Sequence, residues 1–478
     1  LSNTVGNVLD PVMSLRINVS ILPGKPAVIT YITGAASGRD EALELAGRYH
    51  SRHAVDDVFK MALFDSEVEM QYLGVTPQQV NAVQDLVGSI YYPSRLLRGP
   101  VDIIEKNSMG QSGLWKFGIS GDYPIMLFRI RDINGIPSMR DAVTAYEYLK
   151  KNGVKLDFVI LNEESDDYFQ PLNHQINELI SNRRVYYPNS RETGIYVLKM
   201  RQMARDEVHL LIAASRVVLS EKNHLLSRRI KKLLVEETGE APQMFSSNEA
   251  RVYEDEPLEN IELKDFNGVG GFTADGREYV INLRDDYSLP GPWSNIIANH
   301  GFGCLVSASG SGYSWSLNSR ENRITRWSND PVLDPSPEII YIRDEVTGEF
   351  FSPTPSPIRE KGEYRIRHGF GYSTFERNGH GIRQKMTIFV SSRDPVKIYR
   401  VSLDNASDKD RELSLYFYVE WVMGVNRETN APFIITEMNE KYNIITARNS
   451  YNREFSNRVA FMGSSEKITS FCGDRMEF

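Results

Sequence analysis

The sequence is poor in cysteine, with only Cys304 and Cys472 among 478 residues. Two thiols build neither a disulfide framework nor a four-ligand zinc site, and usage this sparse is that of a reducing, cytoplasmic compartment. No apolar run approaches the roughly 20 residues that span a bilayer, and no secretory leader pattern is present, so no membrane segment is expected. An excess of basic residues is missing too. The formal charge of −8 argues against nucleic acid or an anionic membrane as the main partner. The one basic run, Arg228-Arg229-Ile230-Lys231-Lys232, reads as the solvated face of a helix. The chain starts Leu1-Ser2-Asn3 without Met and stops at Phe478 just after a strand-like run, as expected of an internal piece of a longer protein.

What is present is ordinary for folded domains: 41% hydrophobic and 25% charged residues, with length for two to four domains. Residues 11–34 hold two Val/Ile/Thr-rich runs around Pro23-Gly24-Lys25, a hairpin signal. Two strands bury no face alone, so this tail (1–35) must complete a sheet whose other strands lie elsewhere. A helical segment (36–105) follows. Ser37 and Asp40 mark its start, Val55, Val58, Phe59 and Ala62 fall at helical spacing, and Thr76-Pro77 restarts it after Gly74. From 106 to 240 strands ("YPIMLFRI", "LDFVILN", "GIYVLKM") alternate with helices near 138–152, 170–181 and 204–218. That is a small α/β unit with parallel pairing. Its glycine-rich loop 109–124 matches neither a Walker loop nor a dinucleotide fingerprint. A polar linker (241–260) leads to an all-β region (261–478). There "EYVINL", "RQKMTIFV", "VKIYRVSL" and "LSLYFYVEWVMG" predict a large antiparallel sandwich. "LYFYVEWV" (415–422) reads as a strand buried on both faces.

Within the β region, "SGYSWSLNSRENRITRWSNDP" (311–331) is rich in Asn, with Gly and Asp-Pro, and predicts a long ordered surface loop rather than strand. Trp315 and Trp327 offer apolar platforms to sugar C–H faces, while Asn318, Arg320, Asn322, Arg323 and Asn329 offer donors to hydroxyls or phosphate. The residues are equally those of a polar loop whose Arg320, Glu321 and Arg323 pair internally while the tryptophans pack on the sheet. A second cluster (364–381) brings His368, Tyr372, His380 and Arg367 among glycines, a pattern of turns more than of metal ligands. His50 and His53 fall on a helix. Asp330, Asp334, Asp344 and Glu345 lie close in sequence, but proximity does not make the spaced carboxylate pair a glycosidase needs. No nucleophile motif appears, and no catalytic residue is assigned.

Five long stretches, "NGVGGFTADGREYVI" (267–281), "PWSNIIAN" (292–299), 302–332, "EIIYIRDEVTGEFFSPTPSPIR" (338–359) and "YRIRHGFGYSTFE" (364–376), closely resemble the β-supersandwich of glycoside hydrolase family 94, formerly glycosyltransferase family 36. Within the family the similarity is greatest to cyclic β-1,2-glucan synthases and 1,2-β-oligoglucan phosphorylases, and it extends upstream through residues 9–50. The resemblance implies an α+β multidomain chain: the tail of one supersandwich, a connecting unit, and an incomplete second, galactose mutarotase-like supersandwich. It implies that the inverting chemistry resides in an (α/α)6 barrel missing from this chain, so that this chain alone is inactive. It further implies a β-glucan partner, contacts to that barrel, a possible homodimer, and no cofactor beyond inorganic phosphate as co-substrate of a phosphorylase. The loop 311–331 is the candidate border of the sugar cleft. Where the family pattern is Arg-Leu-Thr-Pro-Trp, this chain has Arg323-Ile324-Thr325-Arg326-Trp327, and loss of the proline is expected to free the loop.

Overall fold

The computed structural model describes residues 6–7, 14–164, 171–184, 193–221, 253, 256–284, 289–475 and 478. The basic run 228–232 and most of the linker 241–260 lie outside the described residues. The chain falls into two units, residues 1–77 and 78–478.

In the first unit the turn expected at Pro23-Gly24 forms: Lys25 N–H donates to the Leu22 carbonyl at 3.0 Å, with Gly24 at φ +72°. The ladder does not. Residues 14–22 and 25–36 carry no strand, and Ile17, Ile21 and Val28 stay exposed. The physical reason is the one that limits any lone hairpin, since no third strand covers a face. Helix α1 (Arg39–Tyr49) and α2 (Arg52–Leu73) follow. The N-cap of α1 is Gly38, without a side-chain cap bond, and Ser37 just before it donates its backbone N–H to Glu41 Oε2 at 3.0 Å rather than pairing with Asp40. α2 starts at Ser51, whose hydroxyl accepts from Ala54 N–H, and ends at Gly74 in the left-handed region. Its apolar spacing is helical as expected, but Val58 and Phe59 remain exposed.

The second unit opens with α3 (Pro77–Tyr91) and α4 (Val101–Glu105). Four parallel strands follow: β1 (Ile125–Ile130), β2 (Asp157–Asn162), β3 (Ile195–Lys199) and β4 (Ser215–Ser220), in the order β3-β2-β1-β4. Between them run α5 (Ile136–Lys151), α6 (Pro171–Arg184) and α7 (Arg205–Ala214). The helix expected over 204–218 therefore stops at Ala214. Val217 and Val218 join β1 as a fourth parallel strand instead, because β-branched residues suit a sheet and a neighbour was available. Alternate residues sort to two faces: Met126, Phe128 and Phe158 enter a core with α3, α5 and α6, while Leu127, Val159 and Leu161 enter one with α7. That second core also contains Phe433 and packs Tyr451, both from the β region.

The β region is antiparallel throughout. A six-stranded sheet has the order β16-β15-β14-β13-β6-β5, with β5 (Gly270–Phe272), β6 (Glu278–Arg284), β13 (Glu363–Gly369), β14 (Tyr372–Gly379), β15 (Ile382–Val390) and β16 (Lys397–Asn405). Facing it is a five-stranded sheet, β18-β10-β9-β8-β7, built from β7 (Ser294–Ala298), β8 (Phe302–Ser307), β9 (Gly312–Ser316), β10 (Arg323–Thr325) and β18 (Trp421–Gly424). A three-stranded sheet joins β11 (Glu338–Asp344), β12 (Phe350–Phe351) and β17 (Leu413–Val419). Ile281, Ile366, Phe375, Cys304, Val306 and Ile342, from all three sheets, share one core. The short α8 (Arg427–Asn430) leads to a last sheet of β19 (Ile434–Asn439), β20 (Ile444–Asn449) and β21 (Val459–Gly463). "LYFYVEWV" is not one doubly buried strand. It breaks at Glu420 between two sheets, and Leu415 and Tyr416, which alternation points to opposite faces of the edge strand β17, are both exposed, so neither face of that strand is fully covered there.

Phe158, fully buried, stacks on Tyr146 at 5.5 Å. Truncation Phe158→Ala leaves a cavity between the sheet and α5 and is expected to lower stability by about 3–5 kcal/mol. Urea unfolding checks this, and a loss below about 1 kcal/mol would contradict the packing described.

Candidate functional site: an aromatic sheet face above a buried ion pair

The 311–331 stretch is not a surface loop. Two of its segments are strands, β9 and β10, inside the five-stranded sheet. Local chemistry explains both the strands and the turn between them. Gly312, at φ +138°, lies so close to the Leu305 carbonyl that any Cβ there would sit 1.8 Å from the oxygen. Asn318 spends its Oδ1 on the backbone N–H groups of Arg320 and Glu321, both at 2.9 Å, and buried Asn322 donates to the Ser316 carbonyl at 2.9 Å. These asparagines make the turn that returns β9 into β10.

Period-2 alternation then divides β9. Outward go Tyr313 and Trp315. Trp315 lies over Gly303 on the neighbouring strand, where a Cβ would meet its ring at 2.4 Å. Tyr313 sits between the two tryptophans, 5.2 Å from Trp315 and 4.9 Å from Trp327. The Arg323 guanidinium lies 5.9 Å over the Tyr313 ring and donates to the Val425 carbonyl at 3.3 Å. Of the six residues proposed from sequence, Trp315, Arg323 and Trp327 therefore converge, with Tyr313 at their centre. Asn318 and Arg320 stand at the exposed turn, Arg320 beside Glu321 at 3.4 Å. Asn329 is exposed beyond Trp327, outside any strand. Tyr313 was missed as a site residue, although the alternation in "GYSWS" carried the signal. Arg326, where a proline was expected, does not leave the segment free. The Arg326 N–H donates to the Glu420 carbonyl at 3.4 Å, a bond proline could not make.

Inward, Ser314 reaches a buried carboxylate. Glu338 Oε1 accepts from Ser314 Oγ at 2.7 Å and Thr325 Oγ1 at 2.6 Å. Its Oε2 accepts from Lys397 Nζ at 2.7 Å and from the Tyr399 hydroxyl. Burial opposes the charge on Glu338, but the Lys397 ammonium and these hydrogen bonds outweigh it and hold the carboxyl at about 2. Burial likewise opposes the Lys397 charge, and Glu338 more than restores it. The adjoining cavity, lined by Gly310, Gly312 and Tyr399 among others, has about 10 Å³ of free space. That is room for about one water and not for a sugar ring. The cluster is an anchor.

The chain matches the family described as glycosyl hydrolase 94, supersandwich domain, over residues 1–52 and 277–478. It belongs to that family. It is 33% identical to the cyclic beta-(1,2)-glucan synthase NdvB of Rhizobium meliloti (strain 1021) across its whole length, covering 17% of that protein. Over about a third of the chain it is 34% identical to the N,N'-diacetylchitobiose phosphorylase of Vibrio furnissii and 32% identical to the solabiose phosphorylase of Paenibacillus borealis. In those relatives it spans 19% and 20% of the length.

The other polar residues singled out in the sequence bond within this family-94 sandwich. His368 is buried between Ser373 Oγ (2.9 Å) and the Trp293 carbonyl (3.3 Å), and burial draws it down to about 4. Arg367 and Tyr372 both bond Glu278, and His380 bonds Glu360 at 2.8 Å. Asp334 accepts from Ser307 and Ser309, Asp344 from Arg411, and Asp330 from two backbone N–H groups. Among the described residues no His/Cys/Asp/Glu group could hold a metal ion, and no helix is long and apolar enough to cross a membrane.

Substituting Glu338→Gln strands the Lys397 ammonium in the interior and is expected to cost about 3–5 kcal/mol. The folded carboxyl ionises below its ordinary 4.5, so the unfolded chain takes up this proton first. The stabilisation is complete above about 4.5 and disappears as pH falls toward about 2. Urea unfolding across that window should show a steeper acid loss in the wild type than in the variant; parallel profiles would contradict the assignment.

Proposed function

We propose that this chain is the non-catalytic sandwich part of a glycosyl-transferring enzyme acting on β-glucan, a cyclic β-1,2-glucan synthase or a β-1,2-glucan phosphorylase. The observation that carries the reading is the similarity to the glucan synthase along the entire chain. The outward cluster supports it. Tyr313, Trp315 and Trp327 are all partly exposed, and tilted rings with a guanidinium among them present apolar platforms beside hydrogen-bond donors. A neutral, amphipathic glucose chain needs both. In this reading the sandwich, of the galactose mutarotase-like kind, borders the sugar cleft and supports a helical barrel outside this chain. The barrel carries the inverting chemistry, and the chain by itself is inactive. Inorganic phosphate is the co-substrate if the enzyme is a phosphorylase. The cytoplasm suits two cysteines that form no disulfide, one buried and one exposed.

Calorimetric titration with β-1,2-glucan oligomers tests the reading. Trp315→Ala and Trp327→Ala are each expected to weaken binding by about tenfold, which corresponds to about 1.4 kcal/mol. Undiminished binding in both would remove this face from the glucan path. If no oligomer binds the wild type, the face is instead a docking surface for the barrel or for a second copy, and the chain is a scaffold.

A further inference from the structure

Outside the sandwich face, the edge of the parallel sheet carries two arginines that nothing above explains. Arg98 lies on the segment between α3 and α4. That segment runs along β4, where Val218 N–H donates to the Leu97 carbonyl at 2.7 Å. Its guanidinium turns toward the end of α7 and donates through Nη2 to the Ala213 carbonyl at 2.9 Å. Arg216 belongs to β4 itself, and its guanidinium lies 5.7 Å over the ring of Phe433, which stacks on Tyr451 at 4.0 Å. Arg98 Nε and Arg216 Nη1 are both buried and have no hydrogen-bond partner.

The charges are as unanswered as the N–H groups. Among the described residues neither guanidinium forms an ion pair with a carboxylate. Each feels burial first, and Arg98 then feels the like charge of Arg216, so that Arg98 is drawn down to about 10. Even there both stay protonated at neutral pH. Arg98 and Arg216 are half-buried, and Arg377, which also has an unpartnered Nε, is paired with Glu360; Arg323 shares the unpartnered Nε without a carboxylate, but it stands alone over Tyr313, whereas Arg98 and Arg216 lie beside one another. Buried charges in proteins are paired or bind an ion, because an uncompensated one costs several kcal/mol. Water can satisfy an N–H group, but it does not neutralise two positive charges.

We infer that Arg98 and Arg216 form a binding site for a phosphate-class oxyanion, free or carried on a small molecule. A dianion balances the two guanidiniums, whereas one carboxylate would leave half the charge. The planar guanidinium fork suits its oxygens. The Phe433 ring beneath Arg216 restricts water on one side, which strengthens the pairing. The site joins β4, the 92–99 segment and the first residues after α8, so an ion there would tie the α/β sheet to the β region. It does not depend on the glucan reading.

The test is thermal unfolding of the 478-residue chain in phosphate, sulfate or chloride at equal ionic strength, with a hexose phosphate as a further arm. Phosphate and sulfate are expected to raise Tm above chloride by binding the folded state, and Arg98→Met and Arg216→Met to abolish that rise. In chloride, Arg216→Met should be no less stable than the wild type, since it removes an uncompensated charge. Should either variant fail to fold, Arg216→Lys keeps the charge without the fork and is expected to weaken phosphate at least tenfold. Phosphorus NMR line broadening of inorganic phosphate reads this directly. A hexose phosphate that outcompetes inorganic phosphate identifies an esterified ligand, and the reverse a free ion. No line broadening with the wild type, or an equal Tm rise in the variants, overturns the proposal.

Discussion

One buried carboxylate organises the β region. Glu338 sits on β11, in the three-stranded sheet, and receives Ser314 and Thr325 from the five-stranded sheet and Lys397 and Tyr399 from the six-stranded one. Hydrophobic packing between sheets is non-directional and tolerates sliding. A buried ion pair with four named donors does not, because any shift leaves a charge without its partner. The apolar core around Ile281, Ile366 and Ile342 supplies bulk attraction, and Glu338 fixes the register of three sheets.

The outward face follows from this constraint. With Ser314 committed inward to Glu338, the neighbouring Tyr313 and Trp315 must point to the other side of β9. Gly303 gives Trp315 a bare strip of backbone to lie on. The turn asparagines and the backbone bond from Arg326 then hold β10, and with it Arg323, against the same rings. The candidate glucan surface is thus a by-product of how the interior is pinned.

The two halves of residues 78–478 are likewise not independent. Phe433 and Tyr451 complete the apolar core beneath the parallel sheet, and Arg448 donates to the carbonyls of Glu105 and Asn107. The α/β unit is therefore closed on one face by residues that follow it by more than 200 positions. Arg98 and Arg216 lie at this seam.

Much of the fold was legible in the sequence. Runs such as 125–130, 157–162 and 382–390 have the length, β-branching and alternation of their strands, and Gly74 and Pro77 mark helix ends by backbone sterics alone. The long motifs of the β region identified the family. The sequence could not reveal that 215–220 leaves a helix for a sheet, that 312–316 and 323–325 are strands despite their polar composition, or that the 14–36 runs stay unpaired. Each of those outcomes depends on whether a neighbouring strand is present to accept the hydrogen bonds, which is a non-local fact. The candidate site divides in the same way. Its residue types, two tryptophans and arginines in one stretch, were visible in order along the chain. The convergence of three of them on Tyr313, and the dispersal of Asn318, Arg320 and Asn329, were decided by the sheet, because side-chain direction in a strand is set by pairing and by what the opposite face must bury.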